Sequence, residues 1–268
     1  INYTFSDKNR LYFSGYFGND VLRFRQPARD FSFDLPYGNK TATLRWNHLF
    51  NEKMFMNISA VYNDYQFQFN GGQDDFVFKL FSGVKDWNFK ADFENYPNTT
   101  HTLKYGINYT YHTLTPNAAS ASNGEVEFNT TFKPKYANES AVYFLDDIKF
   151  NNKWAINTGF RFSMFQQVGP YTSKISGKQF GAFETAKTYT GLEPRLSINY
   201  KASNDFSIKS GVAITTQYLH LVSNSSSTLP ADVWVPSTEI VKPQRGTQYA
   251  LGFFKNFNND TYETSIEV

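Results

Sequence analysis

The chain contains no cysteine, which removes disulfide staples, thiolate nucleophiles and cysteine-ligated zinc together. No run approaches the roughly 18 consecutive apolar residues of a membrane-spanning helix, and no segment carries a convincing helical period. An excess of one charge is also missing, with 26 Lys and Arg against 24 Asp and Glu over 268 residues. A net charge of +2 offers no basic stripe of the kind that phosphate backbones require, so nucleic acid is not an expected partner. Neither a basic n-region nor a long apolar stretch opens the sequence at Ile1-Asn2-Tyr3-Thr4-Phe5, so a mature or truncated form is expected. What is abundant is aromatic: 28 Phe, 18 Tyr and 4 Trp make 19% of the residues, although the mean hydropathy is only -0.51. That combination is odd for a soluble domain, but it suits strands that cross a membrane with apolar residues only at alternate positions.

Period two dominates. Along 103–112, Leu103, Tyr105, Ile107, Tyr109 and Tyr111 share one face, while Lys104, Gly106, Asn108, Thr110 and His112 share the other, the pattern of a two-faced strand. Trp154, Ile156, Phe160 and Phe162 alternate in the same way with Asn157, Gly159, Arg161 and Ser163, as do Leu196, Ile198 and Tyr200 with Arg195, Ser197 and Asn199. Short polar turns stand at 6–10, 51–53, 151–153, 202–205 and 258–260, each between two alternating runs. Between them lie longer connections at 26–38, 114–137, 168–188 and 221–245. Short turn alternating with long loop is expected when one end of a barrel faces the periplasm and the other faces outside. The expected fold is all-β, an antiparallel transmembrane β-barrel. Twelve strand segments are predicted, at 1–5, 10–25, 38–50, 53–69, 74–94, 100–114, 137–150, 153–167, 189–202, 205–222, 245–257 and 261–268. Aromatics cluster near strand ends, at Tyr12, Phe13, Tyr16 and Phe17 and at Tyr62, Tyr65, Phe67 and Phe69, where interfacial girdles are expected.

Catalytic and metal constellations are weak. The four histidines are His48, His101, His112 and His220; His101 and His112 fall at opposite ends of one predicted strand, too far apart to share a metal or a proton. The pairs Asp74-Asp75 and Asp146-Asp147 would point to opposite faces of a strand, so neither acid/base catalysis, calcium binding nor any cofactor is expected. Gly71-Gly72 reads as a loop tip rather than a phosphate cradle. The N-x-[ST] sequons reflect richness in Asn, Ser and Thr, because several fall inside predicted membrane strands. One set carries a functional expectation: Arg161, Glu193, Arg195, Lys209 and Gln217 all project by parity onto the polar, lumen-facing side. There they could hold a plug or a solute, or pair with one another to fill a wet interior.

Tyr143-Phe144-Leu145-Asp146-Asp147, Trp154 through Phe162, Glu193-Pro194-Arg195-Leu196-Ser197, Gln217-Tyr218-Leu219-His220-Leu221, Leu229-Pro230-Ala231-Asp232-Val233-Trp234-Val235-Pro236 and Lys242-Pro243-Gln244 together resemble the barrel of TonB-dependent outer-membrane receptors of the Bacteroidetes type. The likeness is specific over 141–268 and rests on strand pattern before that. It implies a 22-stranded barrel plugged by an N-terminal domain, importing a scarce solute such as an iron chelate, vitamin or glycan with energy from the TonB complex. The TonB box, the plug and a closing strand ending in an aromatic residue are not in the sequence, so residues 1–268 are expected to be part of one barrel domain. The implied partners are outer-membrane lipid, the receptor's own plug, the TonB complex and a small-molecule or glycan ligand, with a capping surface lipoprotein left open. Specificity is expected in the long loops, above all 221–245, where Leu229, Pro230, Asp232, Trp234 and Pro236 predict an ordered segment. Two alternatives remain at this point: a self-contained twelve-stranded passive channel and a soluble all-β glycan-binding module. An outer-membrane enzyme would need a histidine-containing triad that the spacing does not offer.

Overall fold

Rings on one side of each run and polar groups on the other leave the backbone one economical solution, antiparallel pairing that satisfies N–H and C=O while keeping the faces apart. The computed structural model describes residues 1–123, 127–130, 133–222 and 233–268, with backbone alone at 29, 116–119 and 127–130. Its strands are β1 (Asn2–Ser6), β2 (Asn9–Gln26), β3 (Phe31–Asn51), β4 (Met54–Gln73), β5 (Phe76–Asn95), β6 (His101–Ser122), β7 (Glu127–Thr130), β8 (Lys135–Lys149) and β9 (Trp154–Val168). They continue as β10 (Tyr171–Thr172), β11 (Gln179–Phe180), β12 (Thr185–Lys201), β13 (Phe206–Gln217), β14 (Leu219–Val222), β15 (Val233–Pro236), β16 (Gln244–Phe257) and β17 (Tyr262–Glu267). One 13-stranded antiparallel sheet runs β1-β2-β3-β4-β5-β6-β8-β9-β12-β13-β16-β17, with β7 on β6; β10–β11 and β14–β15 are separate hairpins. No helix among the described residues is long and apolar enough to cross a membrane.

The twelve predicted segments match the twelve strands of this path, with three corrections. Residues 26–38 are not a long loop, because β2 and β3 stay paired from Asn9↔His48 to Gln26↔Phe31 and turn through Pro27–Arg29 and a left-handed Asp30. Likewise β6 continues to Ser122, well past its predicted end. The predicted 205–222 strand is broken at Tyr218, where β14 leaves the sheet to pair with β15. In each case ladder pairing or departure from it is decided by a neighbour that local pattern does not reveal.

At the opposite end the short turns are closed by side chains that mimic a backbone turn. Asn51 accepts from the Lys53 amide at 2.8 Å, Asn98 from Thr100 and His101 at 2.9 and 3.0 Å, and Asn151 from Lys153 and Trp154 at 2.8 and 3.0 Å. Asn258, Asn259 and Asp260 all take left-handed φ values of 51°, 52° and 63°, tolerated best by these residue types.

Register fixes the faces. Met54, Asn95, Leu103, Asp146, Thr158, Leu196 and Val212 form one continuous cross-strand row, which starts at the first residue of β4 and reaches the middle of β13. On the apolar face Trp87, Ile107 and Leu192 are 51%, 58% and 59% exposed. So extended an apolar surface is untenable in water and is the expected surface of a lipid-facing wall. Rings ladder along it: Phe93, Tyr105, Phe144 and Phe160 at 5.4, 6.5 and 6.3 Å, and Trp154 against Tyr200 at 4.3 Å. The predicted girdle clusters divide by parity. Phe13, Phe17 and Tyr62 lie on this face, whereas Tyr12, Tyr16, Tyr65, Phe67 and Phe69 lie on the polar one; neighbouring strand residues cannot share a face. Among the described residues β1 pairs only with β2 and β17 only with β16, so the sheet ends in two unpaired edges.

Candidate functional site

The pairing puts Arg161 opposite Glu193, Arg195 opposite Gly159, Lys209 opposite Asn199 and Gln217 opposite Gln244, so all five predicted site residues project from the polar face. They do not form one cluster. Arg161 and Arg195 line a cavity of about 450 Å³ with Lys90, Asp92, Glu94 and Lys104. Lys209 lines a second, also about 450 Å³, nearer the short turns with Asp147 and Lys149, and its ammonium stands 4.2 Å over the Phe254 ring. Gln217 lies at the far end, where its amide donates to the Leu219 carbonyl at 2.6 Å. Glu193 is buried and accepts from Ser163 Oγ at 2.7 Å, which in turn lies 2.8 Å from the Tyr218 hydroxyl.

Sequence reasoning missed the groups that join these residues. His112 is buried, with Nδ1 2.8 Å from Asp86 and Nε2 3.6 Å from Glu139, the latter ion-pair reach but too long for a hydrogen bond. Glu139 also stands 3.9 Å from Arg161. A chain Asp86–His112–Glu139–Arg161 therefore crosses β5, β6, β8 and β9, and Glu193–Ser163–Tyr218 continues it from β12 to the start of the β14–β15 hairpin. Parity places the strand residues of this chain on the polar side, and Tyr218 joins them where the backbone leaves the sheet after Gln217. Their meeting depends on inter-strand register, which one sequence does not disclose.

The hairpin closes over this face. Tyr218 stacks on Phe165 with ring centroids 5.1 Å apart, forming a buried cluster with Ala137, and β15 lies against β5 and β6 across the sheet. Beyond β15, the Ser237 amide donates to the Tyr218 carbonyl at 2.7 Å and the Tyr189 hydroxyl to the Thr238 carbonyl at 2.8 Å. Glu239 is the anchor: its carboxylate accepts from the Tyr171 hydroxyl at 2.6 Å, Ser173 Oγ at 2.8 Å and the Lys174 amide at 2.9 Å. Those donors, led by Tyr171, hold its pKa below the usual carboxylate value. Trp234 and Pro236 sit in β15, opposite Leu221 and Leu219, folded inward rather than at a free loop tip. Leu229, Pro230 and Asp232 lie outside the described residues.

His220 and Ser237 share a 3.0 Å hydrogen bond that has the look of a base and a nucleophile. Ser237 is wholly buried, however, and burial pushes the His220 pKa down, so the pair fastens the hairpin. No group of three or more His, Asp or Glu among the described residues could hold a metal ion. What the wall can do is bind by charge and hydrogen bonding, beneath a hairpin that covers part of it.

The family model for the TonB-dependent receptor-like β-barrel matches residues 1–268. No curated protein matches the chain by sequence. Among solved structures, the FrpB iron transporter of Neisseria meningitidis (F3-3 variant) is similar with a TM-score of 0.64 at 13% identity, covering 99% of this chain and 43% of that one. The ferric preacinetobactin receptor BauA of Acinetobacter baumannii gives 0.61 at 12% identity, covering 99% and 44%, and the ferric yersiniabactin receptor FyuA of Yersinia pestis gives 0.56 at 11%, covering 92% and 43%. The chain thus spans less than half the length of these relatives, and none of them bears on the Bacteroidetes subtype. Apolar wall, polar face, turn asymmetry and family model agree: the chain belongs to the TonB-dependent receptor β-barrel family, whose barrels are outer-membrane proteins.

Proposed function

We propose that this chain forms part of the wall of a receptor that imports a scarce solute across the outer membrane with energy delivered through TonB. Two unpaired edges cannot persist in hydrocarbon, where each open N–H and C=O goes unsatisfied, so further strands of the same receptor complete the barrel and a plug occupies its interior. The observation that carries import through the barrel is the β14–β15 hairpin folded over the polar face and fastened there by Tyr218, Thr238 and Glu239. A soluble all-β glycan-binding module would have no use for a cover on its inner wall. Arg161 and Arg195 supply fixed positive charge to the wall, which suits an anionic chelate or the acidic surface of a plug. A ferric chelate is the first solute class to try, because iron uptake is what the printed names of several structural relatives describe.

Uptake of labelled ferric chelates by cells carrying the intact receptor, with and without a functional TonB complex, tests this. Accumulation that requires TonB and falls at least tenfold in Arg161→Ala with Arg195→Ala supports energised import. Accumulation that persists without TonB and follows the external concentration would instead support the passive channel.

A further inference from the structure

The apolar outer face should be convex and featureless if it met only fluid lipid. It carries a groove of about 510 Å³ instead, across β4, β5, β6, β8 and β9. Small side chains at Ala60, Ala91 and Ser140 make its floor, and Phe89, Val142 and Phe162 stand at its sides. All are paired on the lipid-facing side of the ladder. The groove lies between two aromatic levels: Phe93 and Tyr105 toward the short turns, 5.4 Å apart, and Tyr62 with Trp87 toward the long loops, 4.7 Å apart. Nine residues, Met54 to Tyr62, separate the turn from the upper ring pair, about one hydrocarbon thickness of strand. The groove is therefore at acyl-chain depth.

One strand pleat above Tyr62 and Trp87 the same face changes character. Lys40, Asp64 and Lys85 form a row, with Asp64 only 6% exposed and already served by the Gln66 amide at 3.0 Å, the Tyr62 hydroxyl at 3.2 Å and Lys85 at 3.5 Å. The carboxylate fixes the row, yet two ammonium groups share it, and Lys40 has no ion-pair partner within 4 Å among the described residues. Lys40 and Asp64 also line a cavity of about 290 Å³ with Phe17, Asn19, Gly38 and Gln66. Higher still, Arg23, Arg25 and Lys79 fall on this side by register, against Asp34 and Glu127. Cations concentrated at one interface, directly over an apolar groove, are complementary to a lipid with a phosphorylated head group.

We propose that this face of β3 to β9 is a specific seat for an outer-leaflet lipid, with its phosphate between Lys40 and Lys85 and an acyl chain in the groove floored by Ala60 and Ala91. Dispersion contacts that fluid chains make only transiently become persistent when one chain fills a fixed void, and the head-group ion pairs set which lipid stays. Only the outer-membrane setting is needed for this, so it stands or falls apart from the solute and the energy source.

The intact receptor, purified in mild detergent, is titrated with diphosphorylated lipid A and the bound lipid is counted by native mass spectrometry. Wild type should retain one equivalent through detergent exchange. Lys40→Glu with Lys85→Glu should weaken retention at least tenfold by removing the phosphate contact, and Ala91→Trp should do so by filling the groove. Heat-modifiable migration on gels checks that each barrel is folded; Lys40→Gln with Lys85→Gln replaces the double Glu variant if that one fails the check. Retention unchanged in the folded variants, equal retention of dephosphorylated lipid, or displacement by inorganic phosphate at the same concentration would each overturn the proposal. So would Ala91→Trp altering oligomeric state while leaving lipid retention intact, which would assign the groove to a second copy.

Discussion

The two halves of the sheet spend similar lengths of chain in opposite ways. In β2 to β6 the strands run 18 to 22 residues, and even at the end away from the Asn51 turn two connections are tight: Pro27 to Asp30 between β2 and β3, and Asp74 with Asp75 between β4 and β5. In β8, β9, β12 and β13 they run only 12 to 17 residues, and the chain saved goes into segments that turn back over the polar face. The first solution pairs most of the added backbone within the ladder itself and exposes rings such as Phe24, stacked on Phe33 at 5.2 Å. The second must find side-chain partners, and finds them in Glu239, Tyr171, Tyr189 and the Phe165–Tyr218 stack. An extended hairpin is self-sufficient, whereas an inward fold is only as stable as a few contacts that can be released.

Substitution of one ring in each half should expose that contrast. Phe165→Ala removes a fully buried ring and should cost about 3 kcal/mol of local stability, opening the hairpin roughly a hundredfold more often by amide exchange at 219–222. Phe33→Ala in the extended half should cost under about 1 kcal/mol and leave exchange in β2 and β3 nearly unchanged. Equal effects would mean that the two halves are held in the same way.

The anchoring carboxylate gives the next largest effect. Because the folded-state pKa of Glu239 is depressed, its contribution is complete above the ordinary carboxylate value and is lost as pH falls through the lower folded value. Protease cutting in 237–243 should therefore rise below about pH 4 in wild type, while Glu239→Gln should be cut faster already at neutral pH and lose most of this pH dependence. The smallest effect belongs to the opposite rim. Asp205 is held at about 2, first by Lys255 and then by Ser203, but both groups face solvent; Asp205→Asn should leave the barrel's thermal midpoint within experimental error and only abolish the titration that NMR should show near pH 2 in wild type.

Much of this architecture is legible in the sequence. Alternation from Leu103 to His112 reports the two faces of β6 because burial on one side only enforces period two, and Asn51 and Asn151 mark turns because their side chains close them, as Asn98 also does at a turn that the sequence pattern did not single out. The polar-face position of Arg161, Glu193 and Arg195 follows from the same parity. What stays hidden is long-range. Nothing local says that Asp86 and Glu139 flank His112, since strand register decides it, nor that the chain leaves the sheet at Tyr218 instead of extending β13. The expected loop at 26–38 fails for a related reason, as Arg23↔Asp34 and Phe24↔Phe33 pair in a stretch whose residues look irregular alone.

The cross-strand row from Met54 to Val212 carries a further geometric consequence. Between β4 and β13 it takes six steps sideways and climbs six residues, from the first of β4 to the seventh of β13. With about 3.4 Å per residue and about 4.8 Å between strands, that stagger corresponds to a strand inclination of roughly 35° to the barrel axis. At that slope the 20 residues of β4 rise about 55 Å along the membrane normal, against roughly 30 Å of hydrocarbon. The β2–β5 hairpins therefore stand ~25 Å clear of the bilayer core as a parapet along one side of the opening, so a molecule approaching from outside meets this wall well before it reaches the level of the lipid.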